Sequence, residues 1–234
     1  MKIKIGCDPE VFLKNAKSGE YISAAGLFPG DKKNPFPVEK GAVQVDGTAL
    51  EFNIHPAENE DDFFNNIYTV YKQMQEMVSK VDKELVLAPK PIVNFNANIW
   101  EAIPIDAKIL GCDPDYNIKG EVNPNPSDKI FNLPLRTGSG HIHIGWSDGE
   151  NVNDPSHFED CRFMAHQFFL RGVHRPVTDD ENKRLRYYGG NGAFRPKPYG
   201  VELRSPSPLW IKSEQGIREM FRKTSKNFFE IAGA

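Results

Sequence analysis

The stretch GSGHIHIGW, residues 138–146, sets two of the chain's six histidines, His141 and His143, two positions apart between a glycine-rich approach and a glycine exit. Successive side chains on a strand point to opposite faces, so His141 and His143 share one face while Ile142 and Ile144 take the other. Two imidazoles side by side suit a metal ion, a phosphate contact or a plain polar patch. HxH alone does not choose among them; the rest of the chain has to.

The same spacing recurs. Asp8 and Glu10 flank Pro9, Gln44 and Asp46 are two apart, and Glu51 and Asn53 alternate with Phe52 and Ile54. Near the far end, Glu202 and Arg204 alternate with Val201, Leu203 and Ser205. Taken singly, each pair reads as the solvated face of a strand. Taken together, carboxylates and imidazoles set as pairs inside apolar segments predict one polar cleft floored by a sheet. Several carboxylates with one or two imidazoles suit hard divalent cations such as Mg²⁺ or Mn²⁺. A zinc site through His141, His143 and a carboxylate is the alternative donor set. Arg136, Arg195, Lys197 and Arg204 surround these segments, and guanidinium forks match phosphate geometry. Carboxylates for metal beside arginines for phosphate are the equipment of phosphoryl transfer. There is no GxxxxGK[ST] loop, and GGNG at 189–192 is not GxGxxG, which excludes P-loop and Rossmann readings.

Between the pairs, Phe63, Ile67, Val70, Met74, Met77, Val81 and Leu85 recur at helical steps after the acidic turn Glu58 to Asp62, and predict a core-facing helix. A second helix is expected from Asp154 with Pro155 at its first position, with Phe158, Cys161, Met164, Phe168 and Phe169 inward. A third begins at Thr178, which with Glu181 forms a capping box. A terminal helix runs from about Ser213. Residues 86–137 give only short strands and a loop with Pro124, Pro126 and Pro134. Strands interspersed with a few helices, without regular βαβ repetition, predict an α+β fold with a largely antiparallel sheet, in one domain over 1–234. GCDPE at 6–10 is echoed by GCDPD at 111–115.

The 234 residues carry 29 basic and 32 acidic side chains, a net charge of −3, which gives no support for nucleic acid or an anionic membrane as partner. No window approaches a membrane span. The start MKIKIGCDPEVFL lacks the apolar run of a signal peptide. Cys7, Cys112 and Cys161 form no CxxC pair, which points to a reducing compartment and away from thiolate zinc.

The order DPEVFL, VQVDGTALEFNIHP, GSGHIHIG, FRPKPYGVELRSPS, from about Gly6 to Trp210, resembles the glutamine synthetase and glutamate–cysteine ligase superfamily. Within it, the chain is similar to the phage-type carboxylate–amine (COOH·NH2) ligases, type 2. The resemblance implies a curved antiparallel sheet with helices on its convex side and two or three Mg²⁺ ions with ATP on its concave face. It implies an ATP-dependent ligase that joins a small-molecule or peptide carboxylate to an amine through an acyl phosphate. On the same basis Asp8 and Glu10 open the metal site, although Asp8 stands where glutamine synthetases carry glutamate. Glu51 is implied as the carboxylate of the next metal-binding strand, with Asp46 a second ligand there. His141 is implied as the metal-binding histidine, and His143 lies nearer to nucleotide or substrate. Glu202 and Arg204 match the final ExR pair, metal ligand and phosphate contact, and Arg195 a second phosphate arginine. The implied location is the cytoplasm, that of an infected bacterium for a phage protein.

Two other classes share the general sheet: an ATP:guanidino-type phosphotransferase, which stops at the phosphorylated product, and a metal- or nucleotide-binding module without turnover. Several residues are expected to be bland. His55 ends a strand before Pro56; His157, His166 and His174 lie on or beside the second helix as surface or core-edge residues. Asp113 and Asp115 are read as a solvated loop pair, with orientation of an amino-acid substrate as the alternative, and the Cys7 side chain as pointing into the core.

Overall fold

The computed structural model describes residues 2–109, 114–125 and 131–233. Cys112, Asp113 and Pro126 lie outside the described residues, as does most of the GCDPD echo.

The chain begins with β1 (Lys4–Asn15), the short β2 (Tyr21–Ile22), β3 (Phe36–Val38), β4 (Gly41–Asp46) and β5 (Ala49–Ile54). Helix α1 (Glu60–Val81) leads to β6 (Leu85–Ala88), β7 (Ile92–Asn94), α2 (Ala97–Ala102) and α3 (Ile105–Lys108). Then come β8 (Leu135–Thr137), β9 (Gly140–Gly145), α4 (Pro155–Arg171) and α5 (Asp179–Leu185). Strands β10 (Phe194–Lys197) and β11 (Gly200–Leu203), a 3₁₀ turn (Pro208–Lys212) and α6 (Glu214–Ala232) follow. The fold is α+β, built on a nine-stranded sheet in the order β10-β11-β9-β1-β5-β4-β3, with β2 and β6 also on β1. Every pairing of these strands is antiparallel among the described residues, and β7 and β8 form a separate pair. Among the described residues, no helix is long and apolar enough to cross a membrane.

Registers put the polar pairs on one face. Asp8 is opposite His141, Glu10 opposite Glu51, Glu51 opposite Gln44, His143 opposite Glu202, and Glu202 opposite Arg195. Directly opposed residues in an antiparallel pair share a face, so these groups converge. The other face carries Ile5, Cys7, Val43, Leu50, Phe52, Ile142, Ile144 and Val201, all buried in the main core. Helices α1, α4 and α6 cover that apolar face, as Phe63, Ile67, Val70, Met164, Phe168, Phe221 and Phe228 in the same cluster record.

A second apolar cluster closes one end of the polar face. Phe12 and Ala49 fall on that face by alternation, and Val93, Phe95, Ile103 and Ala107 pack over them. The short helices α2 and α3 therefore lie on the polar side, so the placement of all helices on one side of the sheet holds only for the three long ones. At six and four residues they carry too few turns for a helical period to show in sequence.

Three further expectations are corrected. Helix α1 stops at Asp82, whose N–H bonds the Val78 carbonyl and whose side chain accepts from Glu84 at 2.8 Å. Leu85 is thus a strand residue, Val81 is exposed, and Val78 rather than Met77 completes the inward stripe. In α4, Ala165 takes the inward place expected for Phe169, which is exposed. His157 is buried, with Nε2–H donating to the Lys197 carbonyl at 2.8 Å, which ties α4 to β10. The expected caps are present: Asp154 before Pro155, the Thr178/Glu181 box, and Ser213.

Candidate metal and phosphate site

Along β1, the residues facing the polar side run Lys4, Gly6, Asp8, Glu10, Phe12, from an open end to the closed one. Asp8 and Glu10 occupy the middle, and each belongs to its own cluster. Ligand atoms of Asp8, His143 and Glu202 lie within 4.8 Å of one another, and so do those of Glu10, Asp46 and Glu51. One group offers imidazole and carboxylate, the other carboxylates alone.

In the first cluster, Asp8 Oδ1 is 3.1 Å from both His141 Nδ1 and His143 Nε2. His141 Nδ1 is also 3.4 Å from Glu202 Oε1. Burial opposes the charge on Asp8, yet His143 and His141 hold its carboxyl well below the usual carboxylate range. Burial, with Arg204 beside it, lowers His141 to about 4, so this imidazole is neutral at pH 7. Burial also acts to lower His143, but the Asp8 carboxylate outweighs it and the net shift is upward. Asp8 Oδ1 and His143 Nε2 are nevertheless buried without an aligned hydrogen-bond partner. Orphaned polar atoms of this kind, aimed at one another, fit a bound divalent cation.

Glu202 is completely buried and ringed by cations. Arg204 Nη1 donates to Oε1, while Lys197 Nζ at 3.0 Å and Arg195 Nη1 at 3.4 Å meet Oε2. Arg204 also pairs with Asp115 through Nε at 2.8 Å and donates to the Tyr188 hydroxyl. Asp115 is therefore an ion-pair partner of the site rather than a solvated loop residue.

The second cluster is dominated by repulsion. Burial and the charge of Asp46 raise Glu10 to about 7, with Arg184 and the Ser139 N–H opposing. Burial together with Asp8, Asp46 and Glu10 pushes Glu51 well above the ordinary carboxylate value. A divalent cation would relieve the repulsion among these three carboxylates, and an all-oxygen donor set fits Mg²⁺ or Mn²⁺. Lys32, from the loop before β3, meets Asp46 at 3.5 Å.

Arg184, on α5, was not legible as a site residue. It is fully buried, donating to the Ser205 carbonyl at 2.8 Å, Ser139 Oγ at 3.0 Å and the Arg204 carbonyl at 3.2 Å. Ser139 N–H in turn donates to Glu10 Oε2 at 2.9 Å, and the Glu10 N–H to the Ser139 carbonyl at 2.8 Å. Arg184 so braces the turn that holds Glu10 against the end of β11. Tyr188 and Tyr199 were also missed. Their hydroxyls meet His141 Nε2 at 3.3 Å and His143 Nδ1 respectively.

Asp8, Glu10, Glu51, His141, His143, Arg195, Lys197, Glu202 and Arg204 thus come together. Arg136 does not join them. Its buried guanidinium donates to the carbonyls of Leu133, Leu135 and Lys108, and lies over the Trp100 ring at 4.3 Å. His55 is exposed, and buried Cys7 points into the core as expected, its thiol raised by burial and by Asp8.

A cleft of about 630 Å³ adjoins the first cluster, with Asp8, Glu51, His143 and Tyr199 at its inner end and exposed Lys2 and Lys4 toward its mouth. A second hollow of about 410 Å³ lies against Tyr188 and Asp115. Both fall within the range of small-molecule sites. The chain matches no family model and no curated protein.

Proposed function

We propose that the chain is an ATP-dependent carboxylate–amine ligase that forms an amide or peptide bond through an acyl phosphate, on a glutamine synthetase-like sheet. The observation that carries this reading is the pairing of two cation-ready clusters at successive same-face positions of β1, Asp8 and Glu10, with three basic side chains converging on Glu202. Phosphoryl transfer between two anions needs that combination of divalent and fixed positive charge. The motif order from Gly6 to Trp210 and the antiparallel sheet support the same reading.

Asp8, Glu202 and a histidine would hold one Mg²⁺ or Mn²⁺, and Glu10, Asp46 and Glu51 the other. The ions, when bound, neutralise charge on the transferring phosphoryl group. Arg195, Lys197 and Arg204 orient the triphosphate and stabilise the γ-phosphoryl group as it moves. The 630 Å³ cleft, with Lys2 and Lys4 at its mouth, is the entry for the nucleotide. A substrate carboxylate oxygen attacks the γ-phosphorus and ADP leaves. The amine nitrogen then attacks the acyl carbon, loses a proton and expels phosphate. Arg184 contributes by bracing Ser139, which fixes Glu10.

The test is turnover with Mg²⁺, ATP and a panel of carboxylic acids, with hydroxylamine as a general amine. The expected result is a hydroxamate for at least one acid, formed one-to-one with ADP. A stable phosphorylated product without hydroxamate points instead to the guanidino-type phosphotransferase. No ADP with any acid contradicts the ligase reading.

A further inference from the structure

We infer that the base of the nucleotide lies flat on bare backbone at the open end of the sheet, and that Gly6 and Gly145 select for it by leaving that floor clear. This rests on the nucleotide reading of the 630 Å³ cleft and adds to it the residues that admit the base.

Glycine weakens a strand, because it loses the most conformational freedom on folding and packs no side chain. Among the described residues, five glycines lie in strands: Gly6, Gly41, Gly140, Gly145 and Gly200. Three of them are needed by the fold itself. A Cβ on Gly41 would stand 2.0 Å from the Asn53 carbonyl oxygen, one on Gly140 2.5 Å from that of Ser207, and one on Gly200 2.2 Å from that of Ile144. The other two have no such reason. Outside its chain neighbours, a Cβ on Gly6 would meet nothing nearer than His143 Cβ at 3.7 Å. One on Gly145 would meet nothing nearer than the Tyr199 carbonyl oxygen at 3.5 Å. These are ordinary contact distances, and neither residue has a positive φ. Alanine would fit at both positions.

The registers put both on the polar face. Gly6 is opposite His143, and Gly145 is opposite Lys4 and Gly200. They are diagonal neighbours on β1 and β9, Gly6 the deeper and Gly145 the more open, and both line the cleft. A strand glycine marks a bulge, a tight bend or a close approach to the backbone. The β1–β9 ladder runs without a bulge from Lys4 to Pro9, which leaves the approach of a ligand.

Bare peptide planes offer a flat surface, which suits a planar ring better than a puckered sugar. Tyr199 walls the Gly145 end, and the amide of exposed Asn53 can both donate to and accept from a ring edge. Gly6 precedes Asp8 by two strand positions, about 7 Å, which leaves room for the sugar between the base and phosphates held at the first cluster. A methyl group on either glycine would lift the ring off the floor.

The test is calorimetric titration of Mg·ATP into the full chain and its Gly6→Ala and Gly145→Ala variants, with melting of the three ligand-free proteins. Each variant should bind ATP at least about tenfold more weakly, since the added methyl overfills the base site. Mg·tripolyphosphate, which has no base, should bind all three proteins alike. Both variants should melt at or above the wild type, because alanine costs a strand less than glycine. Gly41→Ala, whose Cβ meets backbone, should melt well below it and shows what a glycine needed by the fold looks like. Unchanged ATP affinity in either variant overturns the inference. So does a loss of tripolyphosphate affinity in step with ATP, or a fall in melting temperature like that of Gly41→Ala. The ligase reading fails separately: weakened ATP binding in the variants, with no hydroxamate from the wild type, sinks that reading alone. Hydroxamate with unchanged ATP binding in the variants sinks this inference alone, and a wild type that binds no ATP sinks both.

Discussion

Replacing Glu202 with leucine is expected to destabilise the protein by about 3–5 kcal/mol, the usual cost of removing one partner from a buried ion pair. Glu202 has no exposure, and Arg204 beside it is also buried. Arg204 keeps Asp115 as a partner, but Arg195 and Lys197 lose the carboxylate oxygen they share. Leucine is close in volume, so the loss reports the removed countercharge rather than a cavity. Glu202→Gln keeps an acceptor oxygen and should cost less. The exposed pair Glu159–Arg162 provides the control: Glu159→Gln should cause no measurable change. Urea unfolding of the three variants is the check. A Glu202→Leu protein as stable as the wild type would mean that the cluster is not held together as described.

The second large effect is a pH dependence centred on Glu10, with Glu51 raised by the same crowding and acting in the same sense. The folded Glu10 carboxyl is raised from 4.5 to about 7, so between these values the folded chain holds a proton that the unfolded chain has released. Stability linked to Glu10 therefore falls as pH rises through that window. At about 1.4 kcal/mol per pH unit, the loss amounts to about 3 kcal/mol by neutral pH. His141 and His174, both lowered to about 4 chiefly by burial, act in the opposite sense over part of the same range. The wild-type curve alone would hide the effect. The difference between Glu10→Gln and wild type removes the histidine contribution and reports Glu10 together with its charge on Glu51: metal-free Glu10→Gln should gain about 3 kcal/mol over wild type between pH 4 and pH 7.5. Saturating Mg²⁺ should remove most of that gain. A difference that stays flat with pH would refute the crowding of Glu10 by Asp46.

Much of the site was legible because strand alternation is a direct code. Residues two apart share a face, so Asp8/Glu10, Glu51/Asn53, His141/His143 and Glu202 could be assigned to a common surface before any pairing was known. The registers then brought β1, β5, β9 and β11 side by side. What stayed hidden lay off the strands. Arg184 sits in the charged run DDENKRL, which reads as a solvated helix face, yet α5 turns that side chain into the protein. Tyr188 and Tyr199 stand in turns, where no period reveals direction. Asp115 reaches Arg204 across 89 positions, a separation that local reading cannot bridge. Arg136 failed for the converse reason: arginine type suggested phosphate, but its two terminal nitrogens donate to the carbonyls of Leu133, Leu135 and Lys108. The run to Leu85 misled because a helical step and a strand position coincided past Asp82.

The most direct test of the central claim is calorimetric titration of ATP, with and without Mg²⁺, into wild type and Glu10→Ala. A two-cluster phosphoryl-transfer site predicts binding that requires Mg²⁺ and is lost or strongly weakened in the variant. Equal binding without the metal, or no binding under either condition, would contradict it.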